Sequence, residues 1–179
     1  MKRIFLTGYM ASGKSTMGRA FSLASGLGFV DLDGYIEERM HHTVGELFAM
    51  YGEEGFREIE RKMLHEAACF EDVVISCGGG TPCFFDNMDF MNACGITVFL
   101  DVNVPRLHER LKKGRAGRPL LSGKTDEELM DFIVKGLEKR LPFYSRSRIR
   151  IDGSRLEDRK QIKDTVELLQ REIGLLEMK

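Results

Sequence analysis

No stretch of this 179-residue sequence stays apolar for the roughly 18 residues that a membrane-spanning helix needs. No apolar signal segment precedes the first strand-like run, so export is not expected. Charge of one sign is lacking too: 27 basic side chains face 28 acidic ones, a formal net charge of −1. No overall field draws the chain to nucleic acid or to a membrane surface. Cysteine is scarce and unpatterned. Cys69, Cys77, Cys83 and Cys94 contain no C-x-x-C pair. That favours reduced, mostly buried thiols in a cytoplasmic protein over a zinc site. Internal repeats, low-complexity segments and linkers rich in Pro or Ser are also missing. Residues 1–179 therefore read as a single domain, long enough for a sizeable core, with a monomer as the expected state.

What is there begins at Gly8–Tyr9–Met10–Ala11–Ser12–Gly13–Lys14–Ser15, a match to G-x-x-x-x-G-K-[ST], the phosphate-binding loop called Walker A. The apolar run Ile4, Phe5, Leu6 before it reads as a buried strand. Met17, Ala20, Phe21 and Ala24 after it recur at helical spacing. Strand, glycine-rich loop and helix are the context the motif requires. Gly8 and Gly13 let successive N–H groups turn toward phosphate oxygens, and the helix N-terminus adds its positive dipole end. Lys14 can reach the β- and γ-phosphates, and Ser15 can offer its hydroxyl to Mg²⁺.

Strands are expected at Arg3–Thr7, Gly28–Asp31, Val73–Ser76, Ile96–Leu100 and Ile149–Asp152, with helical patterns between them and after the last. Alternating strands and helices imply an α/β parallel sheet with helices on both faces and right-handed crossovers. Ligands in such sheets bind beyond the carboxyl ends of the strands. The second strand ends there in Asp31–Leu32–Asp33, and a period of two places both carboxylates on one face. A helix is expected to start near Gly34, so Asp33 is either its cap or a ligand group. In the ligand reading, one carboxylate holds Mg²⁺ through water and the other accepts a hydrogen bond from a hydroxyl awaiting phosphorylation. The third strand runs through Ser76 and Cys77 into Gly78–Gly79–Gly80, either a tight turn or a place where a ligand approaches the backbone.

Two arginines stand out by phase. Arg57 follows Phe56 in a helix whose apolar stripe is Phe56, Ile59 and Met63; it can pair with Glu53 or Glu54 one turn earlier. Arg140 continues the stripe Leu129, Phe132, Ile133, Gly136 and Leu137, so its guanidinium points inward with Leu137 and Leu141, where apolar side chains point, and needs a partner. A ligand carboxylate gripped bidentately would serve. Before that helix lies 112–124, with no acidic residue and three glycines. It is either a solvated basic loop or a mobile lid that closes over nucleotide, with Arg118 neutralising the phosphoryl group in transfer. Aromatic residues to stack nucleic-acid bases are absent from it.

Together these residues resemble the shikimate kinase family. The resemblance rests on the loop Gly8–Thr16, Asp31-x-Asp33, Phe56–Arg57-x-x-Glu60, Gly78–Gly79–Gly80, Arg118–Pro119–Leu120–Leu121 and Arg140-x-Pro142-x-Tyr144. It spans nearly the whole chain. It implies a three-layer P-loop kinase fold with a five-stranded parallel sheet of order 2-3-1-4-5. It implies transfer of the γ-phosphate of ATP to the 3-hydroxyl of shikimate, on the route to chorismate and aromatic amino acids. Carried over by residue, Ala11, Ser12, Gly13, Lys14, Ser15 and Thr16 would bind ATP phosphates, with Ser15 on Mg²⁺ and Asp31 holding that ion through water. Asp33 would bind the shikimate hydroxyls, Arg57 and Arg140 its carboxylate, and Gly79 and Gly80 would complete the pocket. Lys14, Asp33 and Arg118 would be the catalytic set, and Arg155 would lie near adenine. Ala11 departs from the glycine common in the family, and the flanking glycines are expected to suffice.

Two other classes share the loop. A gluconate or nucleoside-monophosphate kinase gives no reason for Asp33, Arg57 and Arg140 together. A non-catalytic ATP-binding regulator should have lost Lys14, Asp33 or Arg118, and all three are present.

Overall fold

The computed structural model describes residues 2–114 and 123–178. The apolar runs form the five strands β1 (Arg3–Thr7), β2 (Gly28–Asp31), β3 (Val73–Ser76), β4 (Ile96–Asp101) and β5 (Ile149–Asp152). All pair in parallel, in the order β2-β3-β1-β4-β5. A parallel sheet is covered on both faces, which is why its inner strands β1, β3 and β4 are nearly continuous apolar runs, whereas edge strand β5 alternates buried and exposed residues. The period of two divides them between separate cores. Ile4, Leu6, Val74, Val98 and Leu100 pack against α1 (Lys14–Ser25) and α7 (Arg159–Glu177). Phe5, Val73 and Ile75 face α2 (Leu32–Met40), α3 (Val44–Ala67) and α4 (Asn87–Cys94). Phe99 joins a third core with α5 (Val104–Lys113) and α6 (Asp126–Tyr144). Among the described residues no helix is long and apolar enough to cross a membrane.

Local chemistry sets the boundaries. Thr43 and Thr125 each make a capping box with a glutamate three residues on, starting α3 and α6. Gly26, left-handed at φ 67°, closes α1. Gly52, at φ 68°, kinks α3.

Some expectations change. The helix after β2 starts at Leu32 rather than near Gly34, and Asp31 is its N-cap residue without a capping side-chain bond. Asp33 is therefore helical, and a strand period does not apply to it. The short 3₁₀ turn Thr81–Cys83 is new, while α4 lies between β3 and β4, where a helical pattern is expected. Leu141, expected to share the inward stripe of α6, is 43% exposed. The four cysteines are free, but only Cys77 is buried, and Cys69 is exposed. The lid expected at 112–124 has its segment 115–122, with Arg118, outside the described residues.

Candidate active site

The carboxyl ends of β1, β2 and β3 open into a cavity of about 500 Å³. Its lining includes Ala11, Gly13, Lys14, Ser15, Thr16, Asp31, Asp33, Ser76, Gly78 and Gly79. Residues from three separate motifs thus reach one concavity, where the rule for open parallel sheets puts it.

The loop is shaped by backbone conformation. Gly8 has φ 140° and Gly13 φ 96°. A side chain at Gly8 would crowd the Leu100 carbonyl at 2.7 Å, and one at Gly13 would meet Leu156 Cδ1 at 2.7 Å. Ala11 also lies in the left-handed region, at φ 62°. The loop forms with alanine there, but at a third position whose backbone conformation favours glycine. Lys14 is only 9% exposed and donates to the carbonyls of Gly8 and Tyr9, each at 2.9 Å. Burial pushes its ammonium down to about 8, against the opposing pull of Asp33 and Asp31. Ser15 Oγ donates to Asp31 Oδ2 at 2.6 Å and lies 3.4 Å from Ser76 Oγ. Two hydroxyls and a carboxylate make a hard oxygen set, which suits Mg²⁺ in company with phosphate and water oxygens.

Asp33 is open to the cavity yet deep within it. Burial among protein atoms, then the carboxylates of Glu60 and Asp31, push it up to about 6, while Lys14 pulls the other way. The three glycines after β3 explain how it shares the site with two arginines. None of them has a positive φ among the backbone exceptions, so a turn does not require them. Each makes room for a different side chain. A Cβ at Gly78 would lie 2.9 Å from Asp33 Oδ1, one at Gly79 3.2 Å from Arg140 Nη1, and one at Gly80 2.6 Å from Arg57 Nη2. Residues 33, 57 and 140 converge on one tripeptide.

Arg57 lies on α3 with Phe84 4.2 Å beneath its guanidinium. Its Nη1 donates to Glu60 Oε2 at 2.8 Å, while Glu53 is 3.5 Å from Nη2. The stronger partner is thus one turn forward, not one turn back. Arg57 Nε is buried and finds no hydrogen-bond partner among the described residues. Arg140, on α6, lies over the Tyr9 ring, 5.1 Å from its centroid, and among the described residues forms no ion pair with a carboxylate. Tyr144 Oη donates to the Gly79 carbonyl at 2.5 Å, pinning the turn between the two arginines.

Two groups are given no role by the sequence alone, although Glu60 stands in the Phe56–Arg57-x-x-Glu60 motif. Glu60, 1% exposed, accepts from Arg57 and from Thr81 Oγ1 at 2.6 Å. Arg110 lines the cavity and donates to the carbonyls of Ala11 and Ser12, each at 3.3 Å, while Glu157 holds it at 2.8 Å. Its position three residues after buried Leu107 is the phase signal that singled out Arg140 and was not applied here. Arg155, expected near the nucleotide, is exposed and outside the cavity lining. Cys77 lines the cavity, but burial and Glu60 push its thiol far above the usual range, so it is chemically quiet.

Comparison with known proteins shows the family. The family model described as shikimate kinase matches residues 10–170. The chain is similar to the shikimate kinase of Phocaeicola vulgatus, 57% identical over 174 residues that cover 97% of this chain and 99% of that one. It is similar to a crystal structure of shikimate kinase from Bacteroides thetaiotaomicron, with a TM-score of 0.94 at 57% identity, covering 97% and 98%. Shikimate kinase from Acinetobacter baumannii, solved in complex with shikimate, matches with a TM-score of 0.85 at 28% identity, covering 100% and 96%.

Proposed function

This chain belongs to the shikimate kinase family, and from that premise we propose how its own residues carry out the reaction. It is an ATP-dependent kinase that transfers the γ-phosphate to the 3-hydroxyl of shikimate, giving shikimate 3-phosphate and ADP. Its product feeds aromatic amino acid biosynthesis.

The loop from Ala11 to Thr16 binds the phosphates of ATP through its backbone N–H groups. Lys14 exchanges the carbonyls of Gly8 and Tyr9 for phosphate oxygens, where its charge offsets charge on the phosphoryl group. Ser15 and Asp31 hold Mg²⁺, Asp31 through water. When bound, that ion neutralises phosphate charge. Asp33 orients the acceptor hydroxyl and accepts its hydrogen bond. The oxygen of that hydroxyl bonds to the γ-phosphorus as the bond to the ADP oxygen breaks, and the proton leaves through Asp33 or solvent. Arg57 and Arg140, on the two sides of Gly79–Gly80, grip the shikimate carboxylate. Arg118 is assigned from sequence alone to the transferring phosphoryl group, and its replacement by alanine should lower kcat more than it raises the KM for shikimate. A monomer in the cytoplasm remains the working expectation.

One observation carries the acceptor assignment: Asp33, Arg140 and Arg57 abut three consecutive glycines, bringing one carboxylate and two guanidiniums together. A hydroxylated carboxylic acid matches that set, and a nucleobase does not. The test is ADP release with shikimate, gluconate or AMP as the only acceptor. Shikimate alone should support turnover. Comparable rates with gluconate or AMP would refute the acceptor assignment, and no turnover with any acceptor would favour a non-catalytic regulator.

A further inference from the structure

Tyr9 belongs to the nucleotide loop by sequence, but its side chain faces the acceptor side. It is 1% exposed, and its ring lies under the Arg140 guanidinium, 5.1 Å from Cζ to centroid. Its hydroxyl donates to the Phe132 carbonyl on α6 at 3.4 Å. Gly136, in the middle of that helix, makes the approach possible. A Cβ there would overlap the Tyr9 hydroxyl and come within 2.9 and 3.0 Å of ring carbons. Glycine inside a helix is unfavourable compared with alanine, so this position gives up helix propensity where the ring needs space. The phosphate-binding geometry of the loop uses backbone groups and Lys14, and needs no phenol.

We propose that Tyr9 is a positioning residue for the acceptor: its ring, seated against Gly136, aims the Arg140 guanidinium at the substrate carboxylate. A residue of the ATP loop thereby sets affinity for the other substrate. The proposal rests on the assignment of Arg140 to the shikimate carboxylate.

The location of Tyr9 supplies its own control. Damage to the loop would be read first in the KM for ATP, whereas loss of Arg140 alignment is read in the KM for shikimate. Tyr9→Leu keeps an apolar side chain and removes the π face. Cation–π contacts of this kind correspond to roughly 3- to 30-fold in binding. The KM for shikimate should rise by about that factor, while kcat and the KM for ATP stay within about twofold. Tyr9→Phe, which keeps the ring, should recover most of the loss. In an Arg140→Ala background, Tyr9→Leu should add nothing further. Gly136→Ala displaces the ring without altering it and improves helix propensity, so it should also raise the KM for shikimate selectively. That variant decides the matter if Tyr9→Leu fails to fold. An unchanged KM for shikimate in Tyr9→Leu or Gly136→Ala, a rise in the KM for ATP instead, or an undiminished effect without Arg140 would each overturn the proposal. Wild-type enzyme that does not use shikimate would instead remove the acceptor assignment beneath it.

Discussion

Arg57 and Glu60 lie one turn apart on α3 and hold each other at 2.8 Å, both buried. The second oxygen of Glu60 accepts from Thr81, in the turn that follows the three glycines. The guanidinium is thus aimed by its own helix and by the end of β3 together. Removing one member of a buried ion pair leaves the other uncompensated, at roughly 3–5 kcal/mol. Glu60→Ala should therefore lower the melting temperature by on the order of 10 °C. It should also raise the KM for shikimate with little change for ATP. Thermal unfolding and steady-state kinetics check both; full stability with an unchanged KM would show that the pair neither holds the fold nor aims Arg57.

The proposed role of Arg140 is to bind the acceptor carboxylate. Truncating a buried, hydrogen-bonded partner of a charge costs about 2–5 kcal/mol, so Arg140→Ala should reduce kcat/KM for shikimate by roughly 30- to several thousand-fold. Arg140→Lys should recover only part of that loss. The sharper comparison uses an analogue with a neutral amide in place of the carboxylate. Wild type should prefer the acid strongly, and Arg140→Ala should lose most of the preference. Equal discrimination by the two proteins would exclude Arg140 from carboxylate recognition.

The pH dependence follows from Asp33 and Lys14. Asp33 is raised from 3.8 to about 6, first by burial and then by Glu60 and Asp31. The folded chain holds this proton more tightly than the unfolded chain. Its contribution therefore favours folding below pH 3.8 and is lost as pH rises through about 6. Asp33→Asn should flatten that part of a stability profile measured by chemical denaturation. In catalysis the ionised carboxylate is the useful form, so kcat/KM for shikimate should fall as pH drops below about 6, and Lys14 sets an alkaline limb near 8. A profile flat over roughly pH 5 to 7, the window around the Asp33 value, would contradict this assignment.

Ala11 holds φ 62° inside the loop, where a Cβ is unfavourable. Ala11→Gly relieves that strain but adds freedom to the unfolded chain, so the net gain should be about 1 kcal/mol or less. Denaturant unfolding should show a higher midpoint for Ala11→Gly at unchanged slope. A lower midpoint would mean that the loop holds Ala11 without strain.

The sequence by itself determined whatever is written in neighbouring residues. The strands, the phosphate loop and the capping of α3 and α6 follow from apolar runs, glycine spacing and short side-chain-to-backbone bonds, and all lie within a few residues of their cause. The phase of α6 correctly turned Arg140 inward, but the same rule placed Leu141 inside, where the structure exposes it. Only the tertiary structure decided which distant residues meet. The parallel sheet and its crossovers bring residues 33, 57 and 140 against Gly78, Gly79 and Gly80, so those glycines answer to three protein side chains and not to a turn. The same folding ties Glu60 to Thr81, draws Arg110 to the loop carbonyls, and lays Tyr9 under Arg140. Such contacts join segments far apart in the chain. Period and propensity describe the backbone within one element, and carry no information about which element will pack beside it.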